Sequence, residues 1–254
     1  MRAVFIADAH LDGRATEGYR YLLRFFDSGC GGADELFILG DFFDFWFAGE
    51  KAVYPGFAPI VEKLLEMRRR GTRISFFEGN HDFFLGDYFE PHGIRVYPEG
   101  AAIDLDGKKM FLSHGDMVDT ANRGYRALRK LLRSGFFYRT QKHVPSPVLW
   151  HISRMVSRMS RSCEWPNSDE LGERIAAFAG EKIEEGADAV ILGHFHSPRF
   201  EQRVVGGRVR TIAVLGDWIR HHTYLVYENG EFQMKSGIPA DSSVADQERG
   251  SNRL

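Results

Sequence analysis

Five times along this chain a short, mostly apolar run leads through a small residue to Asp, Asn or His. The runs cover residues 3–7, 35–39, 73–77, 110–113 and 189–192. The polar sets that follow them are Asp8-Ala9-His10, Gly40-Asp41 with Asp44, Gly79-Asn80-His81-Asp82, His114-Gly115-Asp116 and Gly193-His194-Phe195-His196. Apolar runs of this length, bounded by turn residues, read as strands buried on both faces, which is what a parallel sheet requires. Between the first strands, residues 19–26 and 60–70 have helical periodicity, the second stopping at Gly71. Strands separated by helices indicate βαβ units, hence an α/β sheet with helices packed on it. Such sheets carry their ligands at the carboxyl ends of the strands, where each polar set falls.

Each set alone is compatible with a polar turn. Five of them in chain order, each directly after a strand, are not. Carboxylate, amide and imidazole donors without thiolate suit a binuclear centre of Mn²⁺, Fe or Zn, with Mn²⁺ first. Asp-x-His and His-x-His pairs serve such a centre only if the backbone leaves its extended path, and the glycines at 40, 79, 115 and 193 are expected to permit that. Further hairpins are expected at Asp106-Gly107, around Gly206-Gly207 and around Asn229-Gly230. Residues 239–254 form a polar tail without periodicity, expected to be frayed.

Composition narrows the function classes. With 254 residues, 43% of them hydrophobic and 27% charged, and a net charge of −2, the chain suits one large domain, with or without an insert. The charge balance offers no argument for a nucleic-acid partner. Cys30 and Cys163 make neither a disulfide framework nor a zinc site, which points to a reducing cytosol. No stretch approaches the roughly 18 apolar residues of a spanning helix, and a strand-like run stands where a leader would. The expectation is a soluble cytoplasmic protein, at most peripheral to the inner (cytoplasmic) membrane.

One stretch differs from the rest. Residues 120–163 contain no Asp or Glu, yet hold ten Arg or Lys, among them Arg123, Arg126, Arg129, Lys130 and Arg133. Leu128, Leu131, Leu132, Phe136 and Phe137 follow at roughly helical spacing, and Pro145 and Pro147 divide the stretch into two helical pieces. It reads as a basic, amphipathic helical insert in a body made of residues 1–119 and 164–238.

Together the five sets resemble the signature of the calcineurin-like metallophosphoesterases: Asp-x-His, Gly-Asp, Gly-Asn-His-Asp/Glu, a lone His, and Gly-His-x-His. The resemblance implies a four-layer α/β/β/α sandwich with a helical lid insertion. It also implies two divalent ions, one held by Asp8, His10, Asp41 and His196, the other by Asp41, Asn80, His114 and His194, with Asp41 bridging. Two ions about 3.5–4 Å apart make water nucleophilic and hold a phosphoryl oxygen for in-line displacement. His81, outside that ligand set, would act as an imidazolium that stabilises the oxyanion or protonates the leaving oxygen, with Asp82 orienting it.

Within that family the chain is most similar to the UDP-2,3-diacylglucosamine hydrolases of lipid A synthesis. Residues 5–11, the run Gly40-Asp41-Phe42-Phe43-Asp44-Phe45-Trp46, His114-Gly115-Asp116 with Thr120 and Tyr125 behind it, and Leu215-Gly216-Asp217-Trp218 carry the similarity. It implies cleavage of a nucleotide-lipid diphosphate to UMP and a lipid monophosphate, under a lid over the acyl chains. Asn80, His81, Asn122, Arg123, Tyr125 and Arg126 would bind substrate, and the basic insert would meet an anionic membrane surface. The chain departs from that family in carrying His81 where an Arg is usual, Ala121-Asn122 where an Asp is usual, and no lysine-bearing segment over residues 161–169. Two other readings stand beside it: a phosphoesterase for a soluble nucleotide or phosphodiester, and a non-catalytic binding module on the same fold. The module reading would predict lost ligands, and none is lost. His92, His143, His151, His221 and His222 are expected at the surface or in packing, and the spacing of the last two after Asp217-Trp218 permits an approach to the site without demanding it. Nothing in the sequence specifies an oligomeric state.

Overall fold

Alternate residues of the first strand serve two different cores. In the computed structural model β1 (Arg2–Ile6) sends Val4 and Ile6 to one side, against helices, and Ala3 and Phe5 to the other, against a second sheet. Every one of those four residues is fully buried, which is why the run is apolar throughout rather than alternating. The structure describes residues 1–28, 30, 32–46, 53–120, 122–141, 143–145, 147–149, 151 and 168–237.

The first sheet continues with α1 (Glu17–Ser28), β2 (Glu35–Leu39), α2 (Ala58–Arg69), β3 (Arg73–Phe77), the short α3 (Gly86–Phe89) and β4 (Arg95–Tyr97). Strands β1 to β4 are parallel neighbours. The second sheet contains β5 (Ala101–Leu105) and β6 (Lys108–Ser113). After α4 (Arg123–Leu132), α5 (Gly135–Gln141) and α6 (Ser168–Glu184) it adds β7 (Ala189–Leu192), β8 (Arg199–Val205) and β9 (Arg208–Val214). Strands β6, β7 and β9 run parallel at its centre. Finally β10 (Thr223–Glu228) and β11 (Glu231–Ser236) return to the first sheet beside β1, giving the orders β11-β10-β1-β2-β3-β4 and β5-β6-β7-β9-β8.

Four layers follow from where the side chains go. Leu22, Phe25, Ile60 and Leu64 of α1 and α2 cover Val4, Leu36, Ile38 and Ile74 on one face of the first sheet. Phe5, Phe37, Leu39 and Phe77 face Met110, Leu112, Ile191 and Ala213 between the sheets. Leu171, Ile175, Ala179 and Ile183 of α6 cover Val190, Leu192, Ile212 and Val214 on the far side. Phe5 stacks on Phe37 at 4.9 Å between ring centroids, and removing a buried ring of this kind costs about 3–5 kcal/mol.

The three hairpins form where expected. Asp106-Gly107, Gly206-Gly207 and Asn229-Gly230 all have positive φ at both central residues, which matches the twist of the strands they join. The insert divides at the prolines as expected, since α5 ends at Gln141 and helix resumes at residues 147–149. It also breaks once before them, at Arg133, whose φ of −92° and ψ of 7° end α4, and Ser134 accepts the Phe137 N–H at 3.2 Å to start α5. A Ser-Gly pair is a helix boundary that an apolar periodicity passes over. The second half of the insert, residues 152–163, and the tail, residues 239–254, lie outside the described residues.

Candidate metal centre

The segments after the strands are laced together by backbone hydrogen bonds before any side chain is considered. Asp8 N–H donates to Gly40 O at 3.1 Å, His10 N–H to Asp41 O at 2.9 Å and Gly193 N–H to His114 O at 2.8 Å. Asp8 Oδ2 accepts the His194 N–H at 2.8 Å, and Asp41 Oδ1 accepts the His81 N–H at 2.9 Å. The backbone leaves the extended path at the donors themselves. Asp8, His10, Asp41, His194 and His196 have φ of 55°, 44°, 49°, 73° and 54°. Left-handed backbone costs a non-glycine residue roughly 1–2 kcal/mol, and such strain gathers at functional sites.

The glycines divide in their roles. Gly40 and Gly115 take positive φ as expected, but Gly79 and Gly193 do not. Those two are required for space. A Cβ on Gly193 would lie 2.8 Å from Ala7 Cβ and 2.9 Å from Asp8 Oδ2, and one on Gly79 would overlap the Asp41 carboxylate.

The side chains converge on Asp41. Its Oδ2 lies 3.4 Å from His114 Nε2, 3.8 Å from His10 Nε2 and 3.9 Å from His81 Nε2. His10 Nε2 and His196 Nε2 are 3.2 Å apart, with Asp8 Oδ1 at 3.9 and 3.6 Å from them. His114 Nε2 lies 3.0 Å from Asn80 Oδ1 and 3.1 Å from His194 Nδ1. Asp8, His10 and His196 therefore form one group with metal-ligand spacing, and Asp41, His114 and His194 another. His10 with Asp44 and His81 forms a third that overlaps the first.

The imidazoles are aimed by what holds their other nitrogen. A carbonyl or carboxylate only accepts, so the ring nitrogen against it carries the proton and the second nitrogen is bare when the ring is neutral. His10 Nδ1 donates to Asp44 Oδ1 at 3.1 Å and His196 Nδ1 to Asp217 Oδ2 at 3.3 Å. His114 Nδ1 donates to Leu39 O at 2.9 Å and His81 Nδ1 to Asp44 O at 3.2 Å. All four present Nε2 to the interior of the cluster. His194 is reversed and presents Nδ1.

A divalent cation fits this donor set. Asp8 Oδ1 is fully buried without a hydrogen-bond partner, and bare ring nitrogens are paired at little more than 3 Å. Without a cation the cluster has to share protons. Burial pushes the Asp8 carboxyl up to about 6. Burial, with His114 beside it, pushes His194 down to about 3. For His114 burial works downward, but Asp41, Asp8 and Asp116 carry it up to about 10.

One expectation needs correction. The Asp82 carboxylate does not orient the His81 ring. It accepts the N–H groups of Gly79, Asp41, Phe42 and Phe43 at 3.0, 2.9, 2.8 and 3.1 Å, and so fixes the turn that delivers Asp41. At His81 burial pushes the ring below its ordinary value, with Asp41 opposing.

Of the residues expected to bind substrate, Asn80 and His81 lie in the cluster after β3, and Asn122, Arg123, Tyr125 and Arg126 lie at the start of α4. Asn122 caps the helix, accepting the Tyr125 N–H at 3.0 Å, and the Tyr125 hydroxyl donates to Asp116 Oδ2 at 2.7 Å. Arg123 and Arg126 line a cavity of about 510 Å³ with Arg129, Lys130 and Arg133. His221 does come near, at 3.3 Å from Asp217 Oδ2, while His222 packs on Tyr21 with centroids 4.6 Å apart. The roles of Asp44 and Asp217 were not assigned from sequence, although both stand in runs that carried the resemblance.

Comparison with known proteins agrees with this geometry. Residues 1–198 match the family model described as calcineurin-like phosphoesterase. A UDP-2,3-diacylglucosamine hydrolase of Stenotrophomonas maltophilia is 31% identical over 245 residues, covering 92% of this chain and 98% of its own length. The proteins of that name from Aeromonas salmonicida and Stutzerimonas stutzeri are 30% and 31% identical, covering 92% and 91% of this chain and 93% and 97% of theirs.

Proposed function

The chain belongs to the calcineurin-like phosphoesterase family, and from that premise we propose that it hydrolyses the diphosphate of UDP-2,3-diacylglucosamine to UMP and the lipid monophosphate. That it is a metal-dependent phosphoester or pyrophosphate hydrolase follows from the family and from relatives named as hydrolases over nearly their whole length. The observation that carries the reading is the meeting of donors as far apart in the sequence as Asp8 and His196 around one buried carboxylate, Asp41.

Asp8, His10 and His196 are assigned with Asp41 to one divalent ion, and Asn80, His114 and His194 with Asp41 to the other. Manganese is the proposed metal, because hard carboxylate and amide oxygens are mixed with imidazole. Bound there, the ions supply nucleophilic water and polarise the phosphoryl group. Asp41 balances the charge of both half-sites from between them. His81, its Nδ1 held on Asp44 O, presents Nε2 to the phosphoryl oxygens, takes up a proton there from solvent as the phosphate's negative charge raises its basicity, and passes that proton to the leaving oxygen. Asp82 keeps the Asp41 turn in place through this cycle.

Residues 120–163 are proposed as a lid. Leu128, Leu131, Phe136 and Val148 are 53%, 57%, 76% and 47% exposed, which supports a surface that meets acyl chains rather than packs on the body. Arg123 and Arg126 supply positive charge for the diphosphate and for an anionic cytoplasmic membrane surface. Among the described residues no helix is long and apolar enough to cross a membrane.

The test is incubation of Mn²⁺-loaded protein with UDP-2,3-diacylglucosamine. Release of UMP is expected, and turnover of the deacylated sugar nucleotide should be far slower. Equal turnover of both would favour the soluble-nucleotide reading, and no turnover of any phosphoester would favour a binding module.

A further inference from the structure

The insert is wired into one half of the centre. Tyr125, Arg129 and Arg133 recur every fourth residue of α4 and its end, which stacks them on one side of the helix. Arg129 Nε donates to Asp116 Oδ2 at 2.7 Å, the oxygen that also accepts the Tyr125 hydroxyl, while its Nη atoms hold both Glu99 oxygens at 2.8 and 3.0 Å. Arg133 Nη1 donates to Glu78 Oε2 at 3.1 Å and to Pro98 O at 2.5 Å, and its Nη2 donates to Gly79 O at 2.7 Å. Both guanidinium-bearing side chains are nearly covered, at 11% and 12% exposure. Asp116 stands two residues after His114, and Gly79 immediately precedes Asn80.

We propose that α4 is a clamp that positions the Asn80–His114 half of the metal centre, with Arg133 as the positioning residue that fixes the Gly79 carbonyl and therefore Asn80. The proposal rests on the ligand assignment above. Its physical basis is the shape of the guanidinium. Glu78 is buried and needs a counter-charge, which any cation would provide. Bonding Glu78, Pro98 O and Gly79 O at once needs a planar fork, which lysine lacks. The first half-site is held differently, by Asp44 on His10 and Asp217 on His196.

The experiment compares wild type with Arg133→Met and Arg133→Lys by Mn²⁺ titration calorimetry and elemental analysis, with circular dichroism to establish folding. Wild type should bind two ions. Each variant should keep one ion at wild-type affinity and bind the second about 10–100-fold more weakly, as expected when a partner that orients a ligand is lost. Where Arg133→Met does not fold, Arg133→Lys, which keeps the charge beside Glu78, carries the measurement. Two ions at wild-type affinity in folded Arg133→Lys would overturn the clamp and leave Arg133 a counter-ion for Glu78. Equal weakening of both ions would overturn its selectivity. A wild-type protein with fewer than two sites would overturn the ligand assignment instead.

Discussion

The two halves of the centre are supported by different parts of the molecule. Asp8, His10 and His196 follow β1 and β7, strands buried in the sandwich, and their imidazoles are backed by carboxylates, Asp44 and Asp217. His114 is backed by a backbone carbonyl, that of Leu39, and the segments carrying His114 and Asn80 are gripped by side chains from the insert. A carboxylate behind an imidazole raises its basicity and fixes its tautomer, whereas a carbonyl mainly fixes its direction. One half is thus completed by the core, and the other depends on the segment proposed to cover the substrate. The ion beside Asn80 should accordingly be the weaker and the more responsive to anything that moves α4.

That asymmetry can be attacked at several strengths. The largest effect is expected from Asp41→Ala, which removes the one carboxylate shared by both halves. Both ions should be lost and turnover should fall to background, and elemental analysis finding two ions would show that the halves are independent of Asp41. His81→Ala should come next, lowering kcat by roughly 10²–10⁴-fold while both ions remain, because the ring acts on the substrate. An unchanged kcat at full metal content would remove His81 from the mechanism.

Asp217→Asn tests the first half alone. Its affinity should drop about 10–100-fold while the second ion binds as before, the mirror image of the Arg133 variants. A calorimetric titration in which the second ion weakened as much would mean that the halves are not separately supported. The smallest effect is expected from Glu99→Gln, which removes the exposed partner of Arg129 and leaves Asp116 in place. Thermal unfolding should report a loss under about 1 kcal/mol, as for solvent-exposed ion pairs. A much larger loss would shift the clamp's strength from the buried carboxylates to the rim.

Much of the body was legible before any coordinates. The strands at 2–6, 35–39, 73–77 and 189–192 and the three hairpins depend on short apolar runs and on turn residues that tolerate positive φ. The apolar runs did not give β4, only three residues long, or α6, which lies beyond the insert in a stretch assigned no helix. In the insert, the Ser134 cap was hidden by the two prolines, which look like stronger breaks. Arg129 and Arg133 were visible as charges of the basic insert, but with no destination.

The identity of the metal-holding side chains belongs to the sequence, because each stands in a local motif whose strand, turn and donors lie within a few residues of one another. What those side chains lean on belongs to the tertiary structure. Asp217 meets His196 from the next strand end, Asp82 holds a turn forty residues earlier, and Arg133 reaches back over 54 positions to Gly79. No local pattern encodes these pairings. They exist because strands far apart in the chain end at the same edge of the sandwich, where buried carboxylates and carbonyls must find donors from whichever segment arrives.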